Sequence, residues 1–246
     1  MSIVYYPNRI FKGKVPAIDR ELAKRDPEIT QGSKDITIEA IDETISSNTD
    51  WQLNSIGLQF SNSTSRTFTA AIKQGRKVVT DLNDYLWFQI PTTLPQRIIL
   101  DEGFYTGTEL AAHLKTKMDA NAAFAAEGVT FTVAYDVVTG LFTITPSVGT
   151  LKYLNVNSAQ TLRTTDSIAG HLFGLTVDGT YGASVVSDTA VGGLDSEIPF
   201  ISESANTSLA YSDNEVHILD VDQAVHITTN TAGVLVTYTV NHEDIV

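Results

Sequence analysis

LDEGFYTGTELAAHLKTKMDANAAFAAEGVTFTVAYDVVTGLFTIT, Leu100–Thr145, declares its local structure more clearly than any other stretch of the chain. Thr106 and Glu109 have the S/T-x-x-E spacing of a capping box, in which the hydroxyl accepts from the backbone three residues on and the carboxylate reaches back. Leu110, Leu114 and Met118 follow at i, i+4 and i+8, one stripe of a helix, and the alanines around them favour that state. The pattern predicts a helix over 107–125, with Gly128 as its stop. Strict alternation comes next: Val129, Phe131, Val133 and Tyr135 on one face, Thr130, Thr132 and Ala134 on the other. Asp136-Val137-Val138-Thr139-Gly140 reads as a hairpin turn with Gly140 at positive φ, and Leu141–Thr145 returns as the second strand before Pro146. The unit is a helix followed by a β-hairpin, and the helix should cover the hairpin's apolar face.

Working outward, residues 1–34 lack a clean period and are broken by Pro7, Pro16 and Pro27, so they read as an extended N-terminal arm. The arm packs either on a neighbouring subunit or back on its own domain. Strands begin at Lys34. Trp51 and Leu53 lie in one phase and Ile56, Leu58 and Phe60 in the other, which places a bulge or bend near Asn54-Ser55. Ser61–Ser65 is a turn, and 84–90, apolar on both faces, should be a central strand. Leu151–Val156 is a strand, and Ser167–Leu175 a short helix or turn. Val177–Gly193 is an exposed loop with a short strand near Ala183–Val186. Val216–Val221 and Ala224–Thr229 are joined at Val221-Asp222-Gln223, and Val234–Val240 closes the chain. The fold class that fits is mainly β: β-sandwich-like, jelly-roll-type antiparallel sheets with one inserted helix plus β-hairpin module. Residues 35–246 form the β-rich body, with the module at 100–175.

Composition sets limits. Cysteine is absent, which excludes disulfides, thiolate metal sites and a Cys nucleophile. No apolar run approaches the ~20 residues of a bilayer span, and MSIVYYPNRIFKGKV has no signal-peptide core. The net charge is −13 but uneven: residues 1–34 carry seven Lys/Arg against four Asp/Glu, whereas 165–246 carry twelve acidic residues and no Lys or Arg. This is either a solvated acidic surface or the basis of attraction between the basic arm of one subunit and the acidic face of another. An acidic body argues against direct binding of nucleic acid except through the arm.

The motif resembles a module that recurs in structural proteins of double-stranded DNA phages and viruses. The shared elements are Gly103-Phe104-Tyr105-Thr106, Leu110/Leu114, Tyr135-Asp136 with Thr139-Gly140, and a later Leu-Gly-Phe-like step, here His171-Leu172-Phe173-Gly174-Leu175 with Leu175 in the aromatic position. The resemblance covers roughly 100–175. It implies a virion component, made in the host cytoplasm, whose partners are other virion proteins and copies of itself. It brings no catalytic residues, no cofactor and no small-molecule substrate.

Candidate chemistry is sparse. A hairpin symmetric about residues 221–222 would face His217 with His226, giving part of a zinc or nickel site with Asp220 or Asp222, a pH-sensitive latch, or ordinary surface polarity. Asp213-Asn214-Glu215 with Asp220/Asp222 offer oxygen ligands for Ca²⁺ but lack the EF-hand spacing. Asp101/Glu102 and Asp195/Glu197 are carboxylate pairs too close in sequence to face each other across a glycosidic bond. Gly170–Gly174 lacks the Lys of a phosphate loop, and no G-x-S-x-G, H-E-x-x-H or G-x-G-x-x-G pattern occurs. Tyr85, Trp87 and Phe88 read as core. The expectation is a non-enzymatic structural component with no catalytic, cofactor or metal residues. The alternative is a receptor- or glycan-binding fibre or spike domain using the loops at 177–196 and 202–214.

Overall fold

A computed structural model describes residues 30–38, 42–60, 66–156, 165–205, 210–213, 216–229 and 234–245. Most of the expected arm (1–29), the expected 61–65 turn and part of the 202–214 loop lie outside the described residues. In chain order the elements are β1 (Thr30–Ile38), β2 (Asp42–Ile45), β3 (Trp51–Phe60), β4 (Arg66–Gln74), β5 (Arg76–Val78), β6 (Tyr85–Gln89), β7 (Gln96–Ile99), β8 (Gly103–Tyr105), α1 (Gly107–Asp119), α2 (Ala122–Ala126), β9 (Phe131–Asp136), β10 (Leu141–Pro146), β11 (Lys152–Leu154), a 3₁₀ turn (Gly170–Phe173), β12 (Val185–Val186), β13 (Glu197–Ala205), β14 (Ala210–Asp213), β15 (His217–Leu219), β16 (Gln223–Thr229) and β17 (Val234–Asp244). The protein is mainly β, and the strand pairings whose register is described are antiparallel. The expected single body divides into two compact units, one of Met1–Lys73 with Glu197–Val246 and one of Gln74–Ser196.

Unit 1 holds two sheets, β1-β17-β3-β14 with β15 also on β3, and β13-β4-β16-β2. The first strand starts at Thr30, ahead of the expected Lys34, so the last residues assigned to the arm belong to an edge strand paired with β17, Thr30 opposite His242. Thr30-Gln31-Gly32-Ser33 has no apolar alternation; backbone pairing holds it in the sheet, and hydrophobic periodicity does not report that. On β3 the register against β17 slips between Asn241 and His242: Asn241 pairs with Ser55 and His242 with Leu53, leaving Asn54 as the extra residue. The bulge lets Trp51, Leu53 and Ile56 all be buried despite their phase change. Ala70 and Ala71 of β4, Ile201 of β13, Leu219 of β15 and Ala224, Val225 and Ile227 of β16 complete the described core. The last residue of this unit before Gln74 and its first after Ser196, Lys73 and Glu197, are Cα partners in the β4–β13 ladder.

Unit 2 is continuous in sequence and contains the sheets β12-β10-β9, β11-β6-β7 and β5-β8 together with both helices. β6 is the middle strand of its sheet, with Leu86 and Phe88 fully buried. The Thr106 cap forms as spaced: its hydroxyl accepts from Glu109 N–H at 3.3 Å, and Glu109 Oε2 accepts from Thr106 N–H at 2.8 Å. Leu110, Ala111, Leu114 and Met118 are the buried stripe of α1. The helix stops at Asp119 and does not run to 125. Asn121 Oδ1 accepts from Ala123 and Phe124 N–H at 3.1 and 3.3 Å, starting α2 as a separate turn that buries Phe124. A capping side chain here overrides the helix propensity of the alanines. The hairpin has Tyr135 opposite Phe142 and Phe131 opposite Pro146, with Phe131, Val133 and Tyr135 turned to the core. Asp136 Oδ1 accepts from Val138 N–H at 2.9 Å, and Gly140 takes φ +70°.

Candidate functional site

The two histidines singled out on a hairpin do not face each other. β15 pairs with β3, His217 opposite Leu53, whereas β16 lies in the other sheet of unit 1, His226 opposite Thr44. The Asp220–Gln223 turn, closed by Gln223 N–H to Asp220 O at 2.9 Å, passes the chain from one sheet to the other. Burial explains the choice. A hairpin would put Val225 and Ile227 on the face of Ile218, opposite that of Leu219. Separating the strands allows Leu219, Val225 and Ile227 all to be buried while Ile218 stays 62% exposed. The Trp51 indole N–H, donated to Gln223 O at 3.3 Å, and the His217 ring, 4.7 Å from that of Phe200 on β13, link residues of the two sheets.

His226 has other partners. Its Nε2 lies 2.7 Å from Asp42 Oδ1 and its Nδ1 2.8 Å from Glu197 Oε1. Partial burial works against a charged ring here, but the hydrogen bonds to Asp42 and Glu197 outweigh it and raise the pKa, with Lys73 opposing. The carboxylates sit on opposite ring nitrogens, so the three side chains do not converge on one ion. Among the described residues no group of three or more His, Asp or Glu side chains is placed to hold a metal. Asp220 and Asp222 lie in the inter-sheet turn and Asp213 ends β14, while Asn214 and Glu215 lie outside the described residues.

The carboxylate pairs separate. Asp101 accepts from Lys117 Nζ at 2.7 Å, which lowers its pKa, while Glu102 accepts from the Thr80 hydroxyl at 3.3 Å. His113 Nε2 accepts from Asp101 N–H at 3.0 Å and its ring stacks on Tyr105 at 4.8 Å; burial lowers its pKa, so the ring is held neutral. Asp195 accepts from Thr108 N–H at 3.0 Å and from the Thr108 hydroxyl at the start of α1, whereas Glu197 belongs to His226.

The acidic loop after β11 is internally tied. Asp188 Oδ2 accepts from Thr176 and Val177 N–H, each at 2.9 Å, and Asp178 Oδ1 accepts from Val156 N–H at 3.0 Å. Partial burial pushes Asp188 upward, but hydrogen bonds from Thr176, Val177 and Thr189 outweigh it and hold the pKa below the usual carboxylate range. Two of the acidic residues that the sequence assigned either to a solvated surface or to attraction between subunits therefore also order their own backbone; the signal was their Ser/Thr/Asp-rich setting, which favours side-chain-to-backbone bonds. Val177 and Tyr181 remain exposed on this loop, with Lys152 Nζ 5.9 Å from the Tyr181 ring centroid.

The dispersed motif residues meet in one core. Gly107 lets α1 approach the Tyr135 ring, and Tyr135 packs on Phe142 at 4.8 Å. Phe142 packs in turn on Phe173 of the 3₁₀ turn at 5.0 Å, and Gly174 ends that turn with φ +64°. The Tyr135 hydroxyl donates to Val191 O at 2.7 Å. The Gly170–Gly174 segment is thus a core corner. Phe88 is likewise core, Tyr85 is buried beneath the Arg97 guanidinium at 3.8 Å, and Trp87 is half-buried. No helix among the described residues is long and apolar enough to cross a membrane. Comparison with family models, curated proteins and solved structures returned no match.

Proposed function

We propose that the chain is a non-enzymatic structural component of a phage or virus particle, occupying a position in a symmetric assembly such as a capsid-associated, vertex, collar or tail ring. In this reading unit 1 is a jelly-roll-type β-sandwich, and the helix and β-hairpin module of 100–175 lies within unit 2. The observation that carries the reading is that Tyr105, Leu110, Leu114, Tyr135, Leu172 and Phe173, residues behind the resemblance to virion proteins and scattered over 100–175, pack into one core. The use of Asp101, Asp178, Asp188 and Asp195 as ties for their own chain also favours a scaffold over a catalyst. Contacts between copies would draw on the basic residues ahead of β1, among them Arg9, Lys12, Lys14 and Arg25, and on the acidic C-terminal third. A second reading, a receptor- or glycan-binding domain of the virion, draws on Tyr181, exposed on a loop that Asp178 and Asp188 order.

The test is native mass over a range of concentration and salt, with and without residues 1–29. The truncation ends before β1, so it spares every described strand. The full chain is expected to form a discrete oligomer that loosens with salt, and the truncated chain to melt as the full one does but fail to assemble or enter particles. A full chain that stays monomeric throughout, together with wild-type incorporation of the truncated chain, would overturn the proposal.

A further inference from the structure

His226, on β16, has an acceptor-only group at each ring nitrogen, Asp42 at 2.7 Å and Glu197 at 2.8 Å. A neutral imidazole has one N–H and one lone pair and can serve only one of them. Satisfying both needs a ring protonated at both nitrogens, which then makes two charge-assisted hydrogen bonds. The strand order β13-β4-β16-β2 puts Asp42 and Glu197 on opposite edges, so the bridge spans the sheet. Glu197 is where the chain returns to unit 1, directly across the ladder from Lys73, where it departs. The charged groups on the strands beside the ring are Asp42 and, in the opposite phase, Glu43 on β2, Lys73 on β4 and Glu197 on β13.

We propose that Asp42, His226 and Glu197 form a proton-dependent clasp across this sheet, closed while the ring carries two protons and released when it loses one, freeing the first residues of β13. The raised pKa has the sign this requires. The stabilisation is complete below the ordinary histidine value of about 6.5 and is lost as pH rises through the folded value.

Two measurements on the full chain test it: NMR titration of the His226 ring, and amide exchange of Ile198 and Ile201 between about pH 5.5 and 9, corrected for intrinsic base catalysis. The ring midpoint should stand above about 6.5 and fall in both Asp42→Asn and Glu197→Gln. Exchange should quicken across that midpoint, by up to about tenfold for each unit by which it exceeds 6.5. In His226→Gln it should be fast at every pH. A midpoint at or below 6.5, a midpoint unmoved by Asp42→Asn, or flat exchange in the wild-type chain overturns the clasp. Asp42→Asn alters a carboxyl side chain 84% exposed, so the test does not depend on the histidine variant folding. His113 and His242, whose pKa values burial lowers, titrate on the acid side and are separable.

Discussion

Gly107→Ala sets two well-characterised effects against each other. Replacing glycine near the start of a helix usually stabilises by about 0.4–1 kcal/mol, because the unfolded chain loses freedom. Here the added Cβ would lie 2.4 Å from Tyr135 Cδ1, 2.5 Å from Cε1 and 2.8 Å from Cγ. Relaxed carbon contacts lie at about 3.5–4.0 Å, so a gap of about 1 Å must open. The ring is poorly placed to yield: its hydroxyl is tied to Val191 O at 2.7 Å, its face rests on Phe142 at 4.8 Å, and its backbone pairs with Phe142 in the hairpin. Overpacking of this kind costs about 1–3 kcal/mol. The clash should win, leaving a net loss of about 1–2 kcal/mol, or roughly 3–8 °C in melting temperature for a unit of this size. Urea and thermal melts of Gly107→Ala, Tyr135→Ala and the double variant give the coupling directly. With the ring removed, the alanine should be neutral or stabilising. A Gly107→Ala chain that melts at or above wild type with Tyr135 intact would refute the argument.

Asn121→Ala should cost about 1 kcal/mol by removing the acceptor for Ala123 and Phe124 N–H, and exchange at those two amides should report it ahead of the global melt. Asp188→Asn should flatten the acid limb of stability. The lowered pKa means the ionised side chain stabilises above about pH 4 and that this is lost as pH falls through the folded value, so the wild type should lose more than the variant on acidification. Extending the N-terminal truncation from 1–29 to 1–38 removes β1, uncovers the edge of β17 and should lower the melting temperature, whereas the shorter truncation should not.

The helix cap, the hairpin turn and the bulge at Asn54 were legible in the sequence because each is a local rule: a hydroxyl three residues from a carboxylate, an Asp four residues before a glycine, a change of phase within one strand. The failures share a different cause. The His217/His226 pairing followed from counting outward from a turn, but which sheet a strand joins depends on which side chains must reach the interior, here Leu219 with Val225 and Ile227. β1 was invisible up to Ser33 because backbone pairing leaves no mark in apolar spacing. The clasp at His226 joins residues 184 and 29 positions away, and no short-range pattern reports that.

The pairing of Lys73 with Glu197 has a consequence for how such a chain could be rearranged. Unit 2 leaves and re-enters at two positions directly across one ladder. A two-residue turn joining those positions would close β4 and β13 into an ordinary hairpin. Gln74–Ser196 thus occupies, in the wiring of the chain, the place of a loop. Because closure entropy grows only with the logarithm of loop length, exchanging the segment for another folded domain with closely spaced ends should leave the host sheets intact. The site is a natural graft point for deliberate fusion.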